Sequence, residues 1–560
     1  AFAINLLSES KIDQKFNNIR LRVPKVAVIG TDDFDHFMND NKLWKTAFSK
    51  DKSDKAIIKS FLKGNLTKKL TRTLSKYLSE VKYPLAIRSS SLLEDSQYQP
   101  LAGMYSTYML PNSDISKAIR LKQLTKAIKL VYASTYLKEP KSLIENSVHH
   151  HEEEKMAVII MELVGKEHDS LFYPSASGSA QSFNYYPVSY MKREEGVAHL
   201  ALGLGRTIAE GEKSLRFSPK YPGIIPQYYS IRSTIDNSQN EFYALDLKKG
   251  SRLLRNGEQE NTSSFQLAVA EKNGELQWAG SVISEEDNVL RDSLRHSGTR
   301  VITFPSFLKW ETVPVPGILI DLLKMGENAL GCPIEIEFAI NMHKNNNKEN
   351  DFCLLQIKPM VIGGIERVQK FDSLSKDDLF CKSSIALGNG LIDTIKNIVI
   401  VDPENFDVSQ TEIIAKDIEH INNKMSEEEQ FILIGPGRWG SADPWLGVPV
   451  EWDQISKAKV IIEYGIEGFP VDPSFGSHFF QNVTSMRIGY FTLNHKKKTD
   501  YLDLKWLNEQ KVMAVTKHIK WIRLERSLSV TIDGETGDGT IIKPLAPVQE
   551  IMDEHEASGI

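Results

Sequence analysis

Leucines recur at every fourth position through "LTKKLTRTLSKYLSEV" (Leu66, Leu70, Leu74, Leu78), the spacing of one face of a helix. A short strand, "PLAIRSS", follows at once. "SDISKAIRLKQLTKAIKLVYASTYL" predicts a second helix, with Ser113 or Asp114 as its N-cap. The almost unbroken apolar run "MAVIIMELVG" has strand length and predicts a strand buried on both faces. "GVAHLALGLGRTIAEGE" reads as a strand running into a glycine-rich loop that holds Gly203 and Gly205. "CPIEIEFAINM" and "FCLLQIKPMVI" alternate with period two and are joined by the polar "HKNNNKEND", which predicts a hairpin. Gly363 and Gly364 close this block, and "ERVQKFDSLSKDD" reads as a linker. Beyond it, "KNIVIV", "QFILIG", "KAKVIIEYG" and "MRIGYFTL" predict strands of a second region with a core of its own. No internal repeat is visible.

Composition narrows the class. A chain of 560 residues, 41% hydrophobic and 25% charged, is globular material long enough for two or more domains. A net charge of -5 gives no general electrostatic reason to bind nucleic acid or an anionic membrane surface. The dense basic run from His495 to Lys498 is short and reads as a solvated loop. Three cysteines (Cys332, Cys353, Cys381) without paired spacing indicate neither a disulfide framework nor a zinc site, so a reducing cytoplasm is expected. No apolar stretch approaches the roughly 20 residues that span a bilayer. The start, "AFAINLLSESKIDQKF", carries charges where a signal peptide needs its apolar centre. It also lacks methionine, so the chain is expected to be a piece of a longer protein.

The hairpin carries the clearest chemistry. Period-two alternation puts Glu335 and Glu337 on one face of its first strand, and Gln356 and Lys358 on one face of its second. Two carboxylates and a carboxamide beside a lysine suit Mg²⁺ bound to a polyphosphate, because a hard cation takes oxygen ligands and phosphates complete its shell. The other reading is an exposed face whose charges merely pair with one another. In the second region, glycines around Arg438 in "GPGRWGSADPWLG" suit either an anion-binding loop or a tight structural corner. "GSHFFQN" puts His478 and Gln481 on one turn of a helix capped by Ser477, with His478 either catalytic or phospho-accepting, or simply packed. The triple histidine His149 to His151, followed by three glutamates, reads as a solvated loop, since consecutive residues do not converge on one ion.

Five stretches in order carry a family resemblance. "RSSSLLEDSQYQPLAG" resembles "RSSATAEDLP...FAGQ" through Arg88, Ser89, Ser90, Glu94, Asp95, Ala102 and Gly103. "VPKVAVIGTDDFDHF" is similar to "VPxGFxIT", "MAVIIMELV" to "MAVxVQxMV", and "LALGLGR" to "AWGLGE". "PIEIEFA...CLLQIKP", from Pro333 to Pro359, is similar to "PxDIEWA...LYxLQxRP". The patterns are those of the nucleotide-binding domain of phosphoenolpyruvate synthase and pyruvate phosphate dikinase, and together they cover about 340 residues. The resemblance implies a two-lobed ATP-grasp domain over 1–365; with the strands read beyond the linker, the expectation is an α+β fold in which a smaller α/β domain of unknown type follows over 366–560. It implies that Arg88, with Ser89 and Ser90, reaches the ATP phosphates, a role that suits a guanidinium fork. Arg88 pairing with Glu94 or Asp95 in a structural turn is the competing reading. It further implies that Glu162, Leu163 and Val164 offer backbone groups to the adenine, that Gly203 and Gly205 form a nucleotide loop, and that Glu337 and Gln356 hold Mg²⁺. Glu335 stands where the family has aspartate, as a cofactor-side residue.

The departures matter as much. Lys358 replaces an arginine, keeping charge but losing the fork. Arg206 stands where the family has glutamate, reversing the local sign, and takes no assigned role. The family's "SGVxFTxxPxTG" loop survives only as "HDSLFYPSASGSAQSF", in which the register of Gly178 and the serines over the phosphates is open. Its "GGKGxxL" lysine loop is absent, as expected if Ala1 lies just past it, and so are the "TCHAA" phosphohistidine segment and the pyruvate-binding barrel. The expected function is Mg²⁺-ATP-dependent phosphoryl transfer with Arg88, Lys358 and a histidine such as His478 in the catalytic roles and an acceptor yet unnamed. A nucleotide-binding regulatory or scaffold module without turnover, and an ATP-grasp ligase, are the alternatives.

Overall fold

The computed structural model describes residues 2–544 apart from 11, 17–18, 50, 92, 95–102, 146–153, 186, 188–190, 249–260, 285, 345–348, 361–374, 427, 442, 444, 467–468, 470, 472–476, 495–496, 498 and 535. Asp95, Ala102, the His149–His151 run, the Gly363–Gly364 pair, and most of the linker and of the 495–498 basic run lie outside the described residues. Helix and sheet are mixed throughout, in an α+β arrangement. Two compact units form. The first comprises Ala1–Ile362, Trp439–Ser456 and Ser474–Met486; the second comprises Gly363–Arg438, Lys457–Pro473 and Arg487–Ile560.

Two sheets dominate the first unit. One has four strands in the order Val26–Ile29, Met156–Glu162, Leu85–Ser91, Tyr108–Leu110. Helices Thr31–Asp40 and Lys117–Ser134 pack on it. Helix Lys68–Glu80 forms where the leucine spacing predicts it: Leu70, Leu74 and Leu78 are buried and the Thr67 hydroxyl caps the Leu70 N–H. The second helix starts three residues or so later than its polar lead-in suggests. Ser116 holds its N-cap position, while the Asp114 carboxylate accepts from the Ser116 N–H in a local turn that keeps the chain out of helix until residue 117. Strand Met156–Glu162 is buried at Met156, Val158 and Ile160 but only partly so at Ala157 and Ile159, so it is not buried on both faces along its whole length.

The second large sheet has six strands in the order Ile19–Arg22, Asn350–Pro359, Ile334–Asn341, Ala176–Gln181, Val197–Ala201, Leu215–Phe217. Its centre is the hairpin read from the alternation, with Glu335 opposite Lys358 and Glu337 opposite Gln356. The register shifts between Glu337 and Phe338, so that Leu355 is the extra residue of a bulge. Helix Val315–Leu330 packs on the back of this sheet and ends at Gly331, whose φ of 69° is the left-handed conformation glycine adopts most readily.

The second unit is built on a seven-stranded sheet in the order Ala386–Leu387, Gly489–Leu493, Ala458–Tyr464, Phe431–Pro436, Asn397–Val401, Ile519–Arg523, Val512–Val515. Four adjacent strands, Gly489–Leu493 to Asn397–Val401, run parallel and are buried along almost their whole length. The connections that leave Phe431–Pro436 and Ala458–Tyr464 each carry a stretch, 439–456 and 474–486, that folds with the first unit. Among the described residues, no helix is long and apolar enough to cross a membrane.

Candidate functional site

A cavity of about 300 Å³ opens in the first unit between the Leu85–Ser91 sheet and the hairpin. Its polarity runs along the strands that wall it. At one end, Val164 packs with Ala339, Cys353 and Leu355, and Ala86, Met109, Met161 and Leu163 continue the apolar lining. Further along the same strands come Arg88, Glu337 and Gln356, and at the far end Glu335 and Lys358. The Glu162 and Leu163 N–H groups donate to the carbonyls of Lys25 (2.8 Å) and Pro84 (2.9 Å). The Val164 N–H has no such partner among the described residues and is left at the apolar end.

In the middle of the cavity the Arg88 guanidinium spans the hairpin. Its Nη1 donates to Glu337 Oε2 at 3.2 Å and its Nη2 to Gln356 Oε1 at 2.6 Å. The groups read separately as phosphate and metal ligands therefore meet at one point. Burial alone would raise the Glu337 carboxyl, but Arg88 and then Lys358 beside it hold it below its usual range. Lys358 keeps its proton more firmly than usual: burial opposes the charge, and Glu335 followed by Glu337 outweighs that. The Lys358 ammonium lies 3.3 Å from Glu335 and donates to Gln481 Oε1 at 2.8 Å.

Helix His478–Ser485 closes this end. The Ser477 hydroxyl caps it, accepting from the Phe480 N–H at 3.1 Å. Phe479 stacks on Trp452 with ring centroids 4.5 Å apart, and Phe480 meets Tyr185 edge-on. One turn in, Gln481 Nε2 donates to Glu335 Oε1 at 2.6 Å, whose other oxygen accepts from Gln181 at 2.7 Å. His478 lines the cavity beside these groups, its imidazole lying against Gly103, where an alanine methyl would fall on the ring. Gly103 has φ 65°, so a side chain there is disfavoured twice over. Burial, then Lys358, pull the His478 pKa down to about 4, so the ring is a neutral imidazole near pH 7.

Of the residues singled out by sequence, Arg88, Glu162, Leu163, Val164, Gly205, Glu335, Glu337, Gln356, Lys358 and His478 line this cavity, and so do Glu94, Gly103, Gly178, Arg206 and Gln481. Ser89, Ser90 and Gly203 are not among its lining residues. Ser89 is one residue out of phase with Arg88 and is buried on the opposite face, and Gly203 supplies a carbonyl that accepts from the Ser177 hydroxyl at 2.7 Å. Arg206 pairs with Glu210 at 2.6 Å and covers the Tyr243 ring. The Gly437 and Gly440 amides near Arg438 donate to the carbonyls of Tyr464 and Val448, as a structural corner would have them.

Sequence reasoning left the register of one row open. "SASGSAQ" forms strand Ala176–Gln181, in which Ser177, Ser179 and Gln181 face Ala339, Glu337 and Glu335. The row His199, Ser179, Glu337, Gln356 thus crosses four strands. The period-two spacing of its polar residues was the available signal. Ser179 Oγ is buried beside Glu337 with no hydrogen-bond partner among the described residues.

These features match a description of known proteins: Pyruvate phosphate dikinase, AMP/ATP-binding domain, over residues 4–378. The chain belongs to this family. The cavity's lining residues other than His478 and Gln481 fall within the matched stretch, and the family is one of phosphotransferases. No curated protein matches the chain.

Proposed function

We propose that the cavity is an ATP-grasp cleft that binds Mg²⁺-ATP and that the chain transfers a phosphoryl group from it. What supports this reading above all is the convergence of Arg88, Glu337, Gln356 and Lys358 on one cavity whose other end is apolar and carries the Val164 amide, which has no backbone partner among the described residues. The adenine takes the end near Leu163 and Val164, with the Val164 N–H facing its edge, and Gly205 belongs to the loop alongside. The polyphosphate runs toward Lys358. Arg88, whose two nitrogens span Glu337 and Gln356, turns its fork to phosphate oxygens, and Lys358 meets them as a point charge.

The donor set fits Mg²⁺: a carboxylate, a carboxamide oxygen and the Ser179 hydroxyl beside them, which has no partner among the described residues, are all oxygens, and phosphates complete such a shell. Such an ion would supply neutralisation of the phosphate charge, with Glu337 and Gln356 as the residues that would hold it. The protein's share is position and electrostatics. Arg88 and Lys358 hold the phosphates in register and stabilise the charge that develops on them, and the apolar walls keep water from competing.

Calorimetry with Mg²⁺-ATP tests the reading, and two isosteric variants sharpen it. Glu337→Gln is expected to weaken Mg²⁺-dependent binding tenfold or more with little change in stability. Glu335→Gln instead strips the buried Lys358 of its counter-charge and is expected to lose about 3 kcal/mol of stability, with the smaller effect on affinity. Equal losses of affinity would place the metal elsewhere. No heat at millimolar ATP would remove the nucleotide assignment itself.

Binding without turnover is the second reading, favoured by Lys358 in place of an arginine and by its engagement with Glu335 and Gln481. Release of ADP or AMP from bound ATP decides against it.

A further inference from the structure

We infer that Gln481 is a positioning residue that makes the cavity sensitive to the length of a nucleotide's phosphate chain: it holds the Lys358 ammonium off Glu335 and available to the distal phosphates. The inference rests on the cavity being an Mg²⁺-ATP site, and it adds a residue from outside the stretch that matches the family. Gln481 reaches the cavity on segment 474–486, which follows strand Ala458–Tyr464 of the second unit in sequence but folds with the first.

Three groups form a closed ring at that end of the cavity. The Lys358 ammonium donates to Gln481 Oε1 at 2.8 Å, Gln481 Nε2 donates to Glu335 Oε1 at 2.6 Å, and the same Glu335 oxygen stands 3.3 Å from the ammonium. The partners fix which way round the carboxamide lies. Turned over, its NH₂ would meet an ammonium and its oxygen a carboxylate, two repulsions in place of two hydrogen bonds. Side chains of similar length cannot replace it: methionine offers neither bond, an ionised glutamate only accepts and lysine only donates. Both arms of the glutamine are short, whereas the direct ion pair is longer than the roughly 2.8 Å usual for an ammonium on a carboxylate. Gln481 is therefore a strut between the two charges. The strut is itself anchored, because its N–H donates to the Ser477 carbonyl at 3.0 Å and Phe479 and Phe480 on the same turn pack against Trp452 and Tyr185.

What the strut leaves on Lys358 gives it a function. An ammonium has three N–H donors, and the described residues supply two acceptors, Gln481 and Glu335. Holding two of three tetrahedral directions fixes the third, on a residue that lines the cavity. Glu335 and Lys358 are both buried, so little water screens one from the other. Without the carboxamide the ammonium closes on the carboxylate and is withdrawn from a ligand. A triphosphate that runs from the apolar end past Arg88 brings its last phosphates to Lys358, while the single phosphate of AMP ends short of it. Gln481 thus bears on the length of the phosphate chain and leaves the base alone.

Calorimetry with ATP and with AMP, each with Mg²⁺, tests this on the whole chain and on Gln481→Met, Lys358→Met and the double variant, with the melting temperature of each. Methionine keeps the length of glutamine without either hydrogen bond. Gln481→Met is expected to bind ATP about tenfold more weakly, the worth of one charged hydrogen bond, and AMP within about twofold of the unaltered chain. In the Lys358→Met background the same change is expected to weaken ATP no further. ATP and AMP weakened alike in Gln481→Met overturns the inference, because a merely structural role does not distinguish one phosphate from three. Undiminished ATP affinity in that variant overturns it too, and losses that add in the double variant overturn the route through Lys358. Should Lys358→Met fail to fold, the ratio of the ATP and AMP losses in Gln481→Met decides alone. No binding of ATP to the unaltered chain removes the Mg²⁺-ATP reading itself, and the inference with it.

Discussion

The seven-stranded sheet of the second unit and the six-stranded sheet of the first are buried to a similar depth but bury different things. In the second unit, Ile398, Val399, Ile400, Ile432, Leu433, Ile434, Val460, Ile461 and Ile462 fill adjacent parallel strands. In the first, the strands at the centre of the sheet bring Ser177, Ser179, Gln181, His199, Glu335 and Lys358 inside. Burying a carboxylate and an ammonium is expensive even when they pair, and aliphatic residues of similar volume hold such positions at least as well. A sheet that keeps a polar row inside is therefore shaped by something other than stability. Here Ser177, Ser179, Glu335 and Lys358 line the cavity, within the stretch that matches the family.

The contrast breaks most visibly in the aliphatic sheet. Ile434→Ala removes a fully buried side chain from between two parallel neighbours and is expected to cost about 2–5 kcal/mol in denaturant unfolding, while ATP affinity of the folded protein stays the same. A loss under about 1 kcal/mol would mean that this sheet is not the rigid, close-packed element its burial implies.

Arg88→Lys turns the comparison to the polar sheet. Lysine keeps the charge opposite Glu337, so an ion pair worth under about 1 kcal/mol at such a partly exposed site should leave the melting temperature nearly unchanged. The fork that reaches both Glu337 and Gln356 is lost, and a phosphate site built on it is expected to lose tenfold or more in ATP affinity, about 1.4 kcal/mol. Unchanged affinity would remove Arg88 from the phosphates; a large fall in melting temperature alone would make it structural.

What could be read from the chain follows the same division. Periodicity revealed helix Lys68–Glu80, the hairpin and the four parallel strands, because each buries one face or both and the pattern is local. The pairing of Glu335 with Lys358 and of Glu337 with Gln356 also follows from alternation once the hairpin is recognised. Arg88 meeting Glu337 is a contact across 249 residues that no local pattern specifies, and only the family resemblance anticipated that both belong to one site. The inclusion of 474–486 in the first unit was not legible at all. It depends on Phe479 finding Trp452 and on Gln481 finding two buried charges, which are tertiary matches between segments with ordinary helix and loop compositions. The start of the Lys117–Ser134 helix was missed for a smaller reason: Asp114 competes for the backbone as a turn former, an outcome that capping preference alone does not decide.

Ser179→Ala carries the smallest expected effect and separates the two kinds of sheet most cleanly. In an aliphatic sheet, trimming a side chain loses packing, and stability falls. Ser179 is different, because its hydroxyl is buried beside Glu337 and bonded to nothing among the described residues, so the folded chain carries the cost of having stripped it of water. Removing it should leave stability unchanged or raise it by about 1 kcal/mol. If the hydroxyl is kept for the metal and its phosphates, Mg²⁺-ATP affinity should fall a few-fold in the same variant, and affinity for ATP measured with EDTA should not. Melting temperature and calorimetry on one preparation read both quantities. A rise in stability with undiminished Mg²⁺-ATP affinity would mean that the orphaned hydroxyl serves no ligand, and the polar row would then end at Glu337.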